Sequence, residues 1–173
     1  DDEVTITLER TPCFGFCPTY TVEVRQDGSI LYNGIANVDS EGEVVGQVDP
    51  EIVHQLAVAF LEIDYFNLND NYTDRYVTDM PSNITSITMN GTSKRIDRYG
   101  GDGAAPIELQ ELEILIDTLL NTEQWTGSAP PEVMNVGAPP PFVIGEEKVI
   151  YVGSEQVDCE GVAPQKCLLV KEN

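Results

Sequence analysis

Cysteine is the residue whose spacing here says most about chemistry. Cys13 and Cys17 stand four positions apart and Cys159 and Cys167 eight, each pair beside Gly and Pro, which permit the tight reversals that short disulfide loops need. Local pairing, Cys13 with Cys17 and Cys159 with Cys167, is the simplest connectivity. The alternative is a zinc site drawing on all four thiols, against which stands a spacing unlike that of common zinc knuckles. The C-x-x-C of a redox dithiol is absent.

Other chemistry has few candidates. His54 is the single histidine, and helical spacing turns it away from the Ile52, Leu56 and Phe60 stripe, toward solvent. There is no G-x-S-x-G, no H-E-x-x-H and no Walker A lysine, so the usual nucleophile, zinc and phosphate machineries are missing from the sequence. With 30 Asp and Glu some carboxylates must lie close together, so a pair carries no information and no acid/base roles are assigned. Gly100 to Gly103 reads as a turn and helix entry rather than an anion cradle. One oxygen-rich cluster, Asn67, Asn69, Asp70, Asn71 and Asp74, offers weak calcium candidates in Asn69, Asp70, Asn71 and Asp74, but it lacks the central glycine and closing glutamate of an EF-hand, and an ordinary Asn/Asp turn explains it as well. The expectation is a non-enzymatic protein without a cofactor.

Three sequons, at Asn71, Asn83 and Asn90, fall within 22 residues and beside expected turns, which makes them glycosylation candidates, at least one of them solvent-facing.

Acidic residues outnumber Lys and Arg 30 to 9, for a net charge of −21. A field of that sign repels phosphate backbones and anionic headgroups, which excludes nucleic acid as a natural partner. No apolar run approaches the roughly 20 residues of a membrane helix. The start at Asp1-Asp2-Glu3, without Met, reads as a mature end left by a removed leader, and with the paired cysteines it places the protein outside the cytoplasm.

The elements that must position these groups begin with alternation. Val4, Ile6 and Leu8, then Tyr20, Val22 and Val24, then Ile30 and Tyr32 mark three strands of a meander, with Asp27-Gly28 at the second turn. Residues 43 to 48 add a short strand before Asp49-Pro50 caps a helix to about residue 63, with Ile52, Leu56, Ala59, Phe60 and Ile63 on one stripe. An aromatic loop follows, containing Tyr65, Phe66, Tyr72 and Tyr76. Ile84, Ile87 and Met89, then Arg95 to Tyr99, form a hairpin around Asn90-Gly91. A second helix runs from Pro106 to about Asn121, with Ile107, Leu109, Leu112, Leu115, Ile116 and Leu119 available for burial. The class is α+β: an antiparallel sheet with two helices on one face, in the order βββ(β)αββα, over residues 1–121.

Residues 122–145 are rich in Pro and lack periodicity, the pattern of an extended arm able to reach on the order of 60–70 Å. Residues 146–173 hold two β-like runs around the second cysteine pair, a small disulfide-linked hairpin whose Val149, Tyr151, Leu168 and Val170 have no core of their own.

The segment Leu8-Glu9-Arg10-Thr11-Pro12-Cys13-Phe14-Gly15-Phe16-Cys17-Pro18-Thr19-Tyr20, followed by Asp27-Gly28, Tyr32-Asn33-Gly34 and Thr78-Asp79-Met80-Pro81, resembles a bacterial family of domains of unknown function, number 6438, over about two thirds of the chain. The tail from Val157 to Leu168 resembles the start of a second such family, number 4377, which continues with further strands past the point where this sequence stops. Both resemblances imply exported or envelope proteins of bacteria and carry no activity to particular residues. The half module on a long arm leads to the expectation of an extracellular filament subunit, joined head to tail to copies of itself through β-strand complementation. The alternative is a monomeric periplasmic or outer-membrane-associated binding module, with its acidic surface or aromatic loop as the ligand site.

Overall fold

The computed structural model describes residues 3–73 and 78–131. Asp74, Tyr76, the Cys159–Cys167 pairing, the arm beyond residue 131 and the hairpin with Val149, Tyr151, Leu168 and Val170 lie outside the described residues.

Strands β1 (Thr5–Arg10), β2 (Thr19–Arg25), β3 (Ser29–Ala36) and β4 (Gly42–Gln47) pair antiparallel in succession. The hairpin of β6 (Ser82–Met89) and β7 (Thr92–Tyr99) joins on the other side of β1, and a two-residue β5 (Asn71–Tyr72) adds a parallel edge to β7. The result is one mixed, mostly antiparallel sheet of seven strands, ordered β4-β3-β2-β1-β6-β7-β5.

Alternation explains which face is covered. In β1 the even positions Ile6, Leu8 and Arg10 are buried while Thr5, Thr7 and Glu9 stay partly in water, and β2, β3 and β6 keep the same phase through Val22, Val24, Ile30, Tyr32, Ile87 and Met89. The expected hairpin at Asn90-Gly91 closes with both residues at positive φ, 50° and 72°, as a two-residue turn of the twisted kind demands.

Helix α1 (Pro50–Glu62) starts where Asp49 accepts a hydrogen bond from the Glu51 N–H at 2.9 Å, with Pro50 in the first turn. It buries Val53, Leu56, Ala57, Ala59, Phe60 and Leu61, whereas Ile52 and Ile63 flank the contact. Helix α2 (Ile107–Leu120) ends at Asn121, in the left-handed conformation. Its buried stripe is Leu109, Leu112, Glu113, Ile116, Asp117 and Leu120, so two acids stand where Leu115 and Leu119 were expected.

The domain does not end at Asn121. Helix α3 (Glu123–Thr126) turns Trp125 back under the sheet, where its ring stacks on Tyr32 at 5.0 Å, and the Trp125 C=O accepts from the Ser40 N–H at 2.8 Å. An arm beginning at 122 is therefore corrected: the single tryptophan belongs to the core because burying its large ring outweighs ordering one more helical turn.

Candidate functional site

Four adjacent strands place polar side chains in one row on the covered face. Tyr20 of β2, Arg10 of β1, Asn83 of β6 and Arg98 of β7 are successive cross-strand partners. Above them α2 presents Glu113 and Asp117, one turn apart. The Arg10 Nε and Nη2 donate to Asp117 Oδ2 at 2.9 and 2.6 Å, and Nη1 donates to Asn83 Oδ1 at 2.8 Å. Asp117 Oδ1 accepts from the Tyr20 hydroxyl at 2.6 Å and from the Thr122 hydroxyl at 2.8 Å. Beside this cluster Arg98 grips Glu113 with two bonds, Nε to Oε1 at 2.7 Å and Nη2 to Oε2 at 2.5 Å.

Burial sets the electrostatics of the row. Loss of water disfavours the charged form of Arg10, but the neighbouring Asp117 carboxylate and Tyr20 oxygen outweigh it and hold the guanidinium pKa above its ordinary value. The same desolvation, then the charge of Asp117, raises the Tyr20 phenol. Glu113 is raised by burial, against the opposing pull of Arg98. The row clamps α2 across the central strands, with Arg10 matched by Asp117 and Arg98 by Glu113. Tyr32 differs: its hydroxyl is buried without a hydrogen-bond partner among the described residues, and burial followed by Asp117 pushes its pKa up to about 12.

This row corrects one glycosylation candidate. Asn83 lies in the core with its amide oxygen held by Arg10, so no glycan reaches it. Asn71 is exposed in β5 and Asn90 half-buried in the β6–β7 turn. Of the calcium candidates, Asn69 and Asn71 are exposed, and Asp70 is engaged by the Lys94 ammonium, which also donates to the Leu68 C=O at 2.7 Å. Among the described residues no group of three or more His, Cys, Asp or Glu is placed to hold a metal ion. The aromatic loop is largely core: Tyr65 and Tyr72 are buried, and the Tyr65 hydroxyl meets the Thr85 carbonyl oxygen at 2.8 Å.

A second feature is apolar and faces solvent. Cys13 and Cys17 form a disulfide with Cα atoms 5.7 Å apart, closing a knuckle in which Phe14 is 88% and Phe16 92% exposed. The knuckle is held from two sides, by the Phe14 N–H donating to the Asp79 C=O at 3.2 Å and by the Asn37 amide donating to the Cys17 C=O at 3.2 Å. Leu31 of β3 stands opposite Val45 of β4, with Ile35 further along β3 in the same phase, all on the open face of the sheet. They are 41%, 79% and 53% exposed. These five are the large apolar side chains that the described residues leave in water.

Strand β4 is also an edge. The Val48 N–H bonds to the Gly28 C=O at 2.9 Å, and antiparallel alternation from that pair turns the backbone groups of Glu43, Val45 and Gln47 away from β3. Behind β4 lies Trp125, packed so closely that a Cβ on Gly46 would sit 2.9 Å from its ring. The edge is thus braced from the covered side, and its rim has no partner strand among the described residues.

A family described as Domain of unknown function (DUF6438) matches residues 4–120, which include all seven strands and α2. The chain belongs to the DUF6438 family. No curated protein matches it. The DUF6438 match ends at Leu120, before Trp125, so the residue that braces β4 lies outside the matched span.

Among the described residues no helix is long and apolar enough to cross a membrane. Sequence reading missed the buried row, although a signal was there: Arg10 and Arg98 occupy the core-facing phase of strands whose neighbours in that phase are Ile6, Leu8 and Ile96. It also passed over Phe14 and Phe16, which a short cystine loop with one glycine between them has no room to bury.

Proposed function

We propose that this DUF6438 protein is a non-enzymatic structural subunit of an extracellular bacterial homopolymer, in which the β4 edge of one copy takes up a strand from residues 146–173 of another. The observation that carries the reading is the rim of β4, whose outward backbone groups at Glu43, Val45 and Gln47 have no ladder partner among the described residues. Strand addition supplies main-chain hydrogen bonds along such an edge and pockets for alternate side chains. Val149, Tyr151, Leu168 and Val170 are the apolar side chains the arm brings, and the tail's resemblance to family 4377 fits a β-forming donor. Donor and acceptor differ, so the contact is heterologous and open-ended. The Cys13–Cys17 bond suits an oxidising compartment outside the cytoplasm.

The test is native mass by light scattering, with Glu43→Pro as the disruptor, since proline on an outward-facing edge position removes a donor and blocks strand addition while leaving the β3 ladder intact. The wild type is expected at multiples of 19.0 kDa, growing with salt as the −21 charge is screened, and Glu43→Pro at the monomer mass. A wild-type chain that stays monomeric at high concentration and salt overturns assembly and leaves the monomeric binding module.

A further inference from the structure

We infer that Trp125, Tyr32 and Tyr20 form a conduit for one-electron oxidation, which draws an electron vacancy inward from Trp125 and holds it on Tyr20 with the phenolic proton passed to Asp117. This goes beyond the assembly reading and does not depend on it, because every group involved lies in the described domain.

The three rings make a continuous path. Trp125 stacks on Tyr32 with centroids 5.0 Å apart, and Tyr32 lies 5.5 Å from Tyr20 at an interplanar angle of 33°. Electron tunnelling falls off exponentially with distance, so rings in contact pass an electron far faster than rings separated by aliphatic packing. The other ring cluster, Phe60, Tyr65 and Phe66, contains one phenol between two phenylalanines and offers no such chain. Entry is at Trp125, which is 8% exposed, whereas Tyr32 is fully buried.

Proton chemistry gives the path its direction. A phenol that loses an electron becomes strongly acidic, so it keeps the vacancy only where a base takes its proton. Tyr32 has none: its hydroxyl is buried without a partner among the described residues, and a positive phenol out of water is costly. Tyr32 is therefore a bridge and not a stopping place. Tyr20 donates to Asp117 Oδ1 at 2.6 Å, within reach for proton transfer. Arg10 Nε donates to the Tyr20 oxygen at 3.1 Å; it opposes a positive phenol and goes on holding the oxygen once the proton has left.

Electrons and protons balance. A one-electron oxidant takes an electron from Trp125, and the indole N–H proton leaves to water. Tyr20 then gives an electron through Tyr32 to Trp125, its proton crosses to Asp117, and the indole nitrogen regains a proton from water. The step runs downhill because a phenol gives up its hydrogen atom more readily than an indole N–H does. The domain ends one electron short, with a neutral phenoxyl at Tyr20 and a neutral carboxyl at Asp117. The Arg10 charge is then offset by the field of a chain at −21, which favours an added positive charge. The same field repels anionic oxidants, so the class that reaches Trp125 is a small neutral or cationic one-electron oxidant.

The experiment is pulse radiolysis of the full chain in azide buffer, where the uncharged azidyl radical oxidises the indole. In the wild type the indolyl absorption is expected to decay as the phenoxyl absorption grows, at a common rate independent of protein concentration. That rate is expected to be slower in deuterium oxide, because a proton moves with the electron. Tyr20→Phe is expected to lose the matched growth, and Tyr32→Phe to lose its fast phase, both with unchanged circular dichroism. An indolyl radical that decays without phenoxyl growth overturns the conduit, as does growth proportional to concentration, which comes from encounters between molecules. Matched growth that persists in Tyr20→Phe overturns Tyr20 as the terminus, and a wild-type rate unchanged in deuterium oxide overturns the transfer to Asp117.

Discussion

On the covered face of the central strands β2, β1, β6 and β7, a row of charged and polar groups is out of water and partnered; at the β3–β4 corner and the adjoining knuckle, apolar groups are in water and uncovered among the described residues. Arg10, Asp117, Tyr20, Asn83 and Thr122 satisfy one another within a few ångströms, and Arg98 and Glu113 do the same. Desolvating a charge costs several kcal/mol unless a partner is fixed beside it, so such a row must be complete inside its own molecule. Exposed Phe14, Phe16 and Val45 obey the opposite rule, since the cost of leaving them in water is relieved only when something else arrives. Completeness marks the row as architecture, whereas the corner leaves its apolar side chains uncovered among the described residues.

The sharpest way to break the comparison is Asp117→Ala. It strands the Arg10 guanidinium and two hydroxyls in the core, and a loss of about 3–5 kcal/mol in urea unfolding is expected. A loss below about 1 kcal/mol would show that water reaches the row and that its isolation is an error.

A smaller effect follows from pH. The Tyr32 phenol titrates at about 12 in the fold against about 10 in an unfolded chain, and Tyr20 and Tyr65 are raised in the same direction, each first by burial. The folded state holds these protons more tightly, so their stabilisation is complete below pH 10 or so and is lost as pH climbs toward 12. Guanidinium midpoints measured across that window are expected to fall, and Tyr32→Phe, which removes a hydroxyl with no partner, is expected to flatten part of the decline. An unchanged midpoint to pH 12 contradicts the burial of these rings.

The smallest effect on stability belongs to the corner. Phe14→Ser together with Phe16→Ser removes two side chains that contact mainly water, and a shift within about 0.5 kcal/mol is expected in thermal or urea unfolding. A large destabilisation would mean that the knuckle is a buried part of the fold and would end the contrast.

Much of the framework was legible because its rules are local. The period-two runs of β1, β2 and β3, the Asn90-Gly91 turn and the Asp49-Pro50 helix start each announce themselves within a few residues. The row was not legible in that way. Glu113 and Asp117 look like a solvated helix edge until Arg10 and Arg98 are known to face them, and that pairing spans 107 and 15 positions of sequence. Asn83 was misplaced for the same reason: a sequon is read from three residues, whereas its burial follows from standing between two arginine strands. Strand β5 and the burial of Tyr72 within it, in place of a ligand-holding loop, went unseen because a two-residue parallel edge has no periodicity to detect. Trp125 escaped as well, hidden in a stretch whose later prolines dominate its composition.

Trp125 also makes the protein its own optical instrument. As the only indole in the chain, packed on Tyr32 and against Gly46 of the edge strand, it reports from a single known address. An event that flexes or straightens β4 alters the surroundings of that one ring, so fluorescence can follow the rim of the sheet in real time without a label.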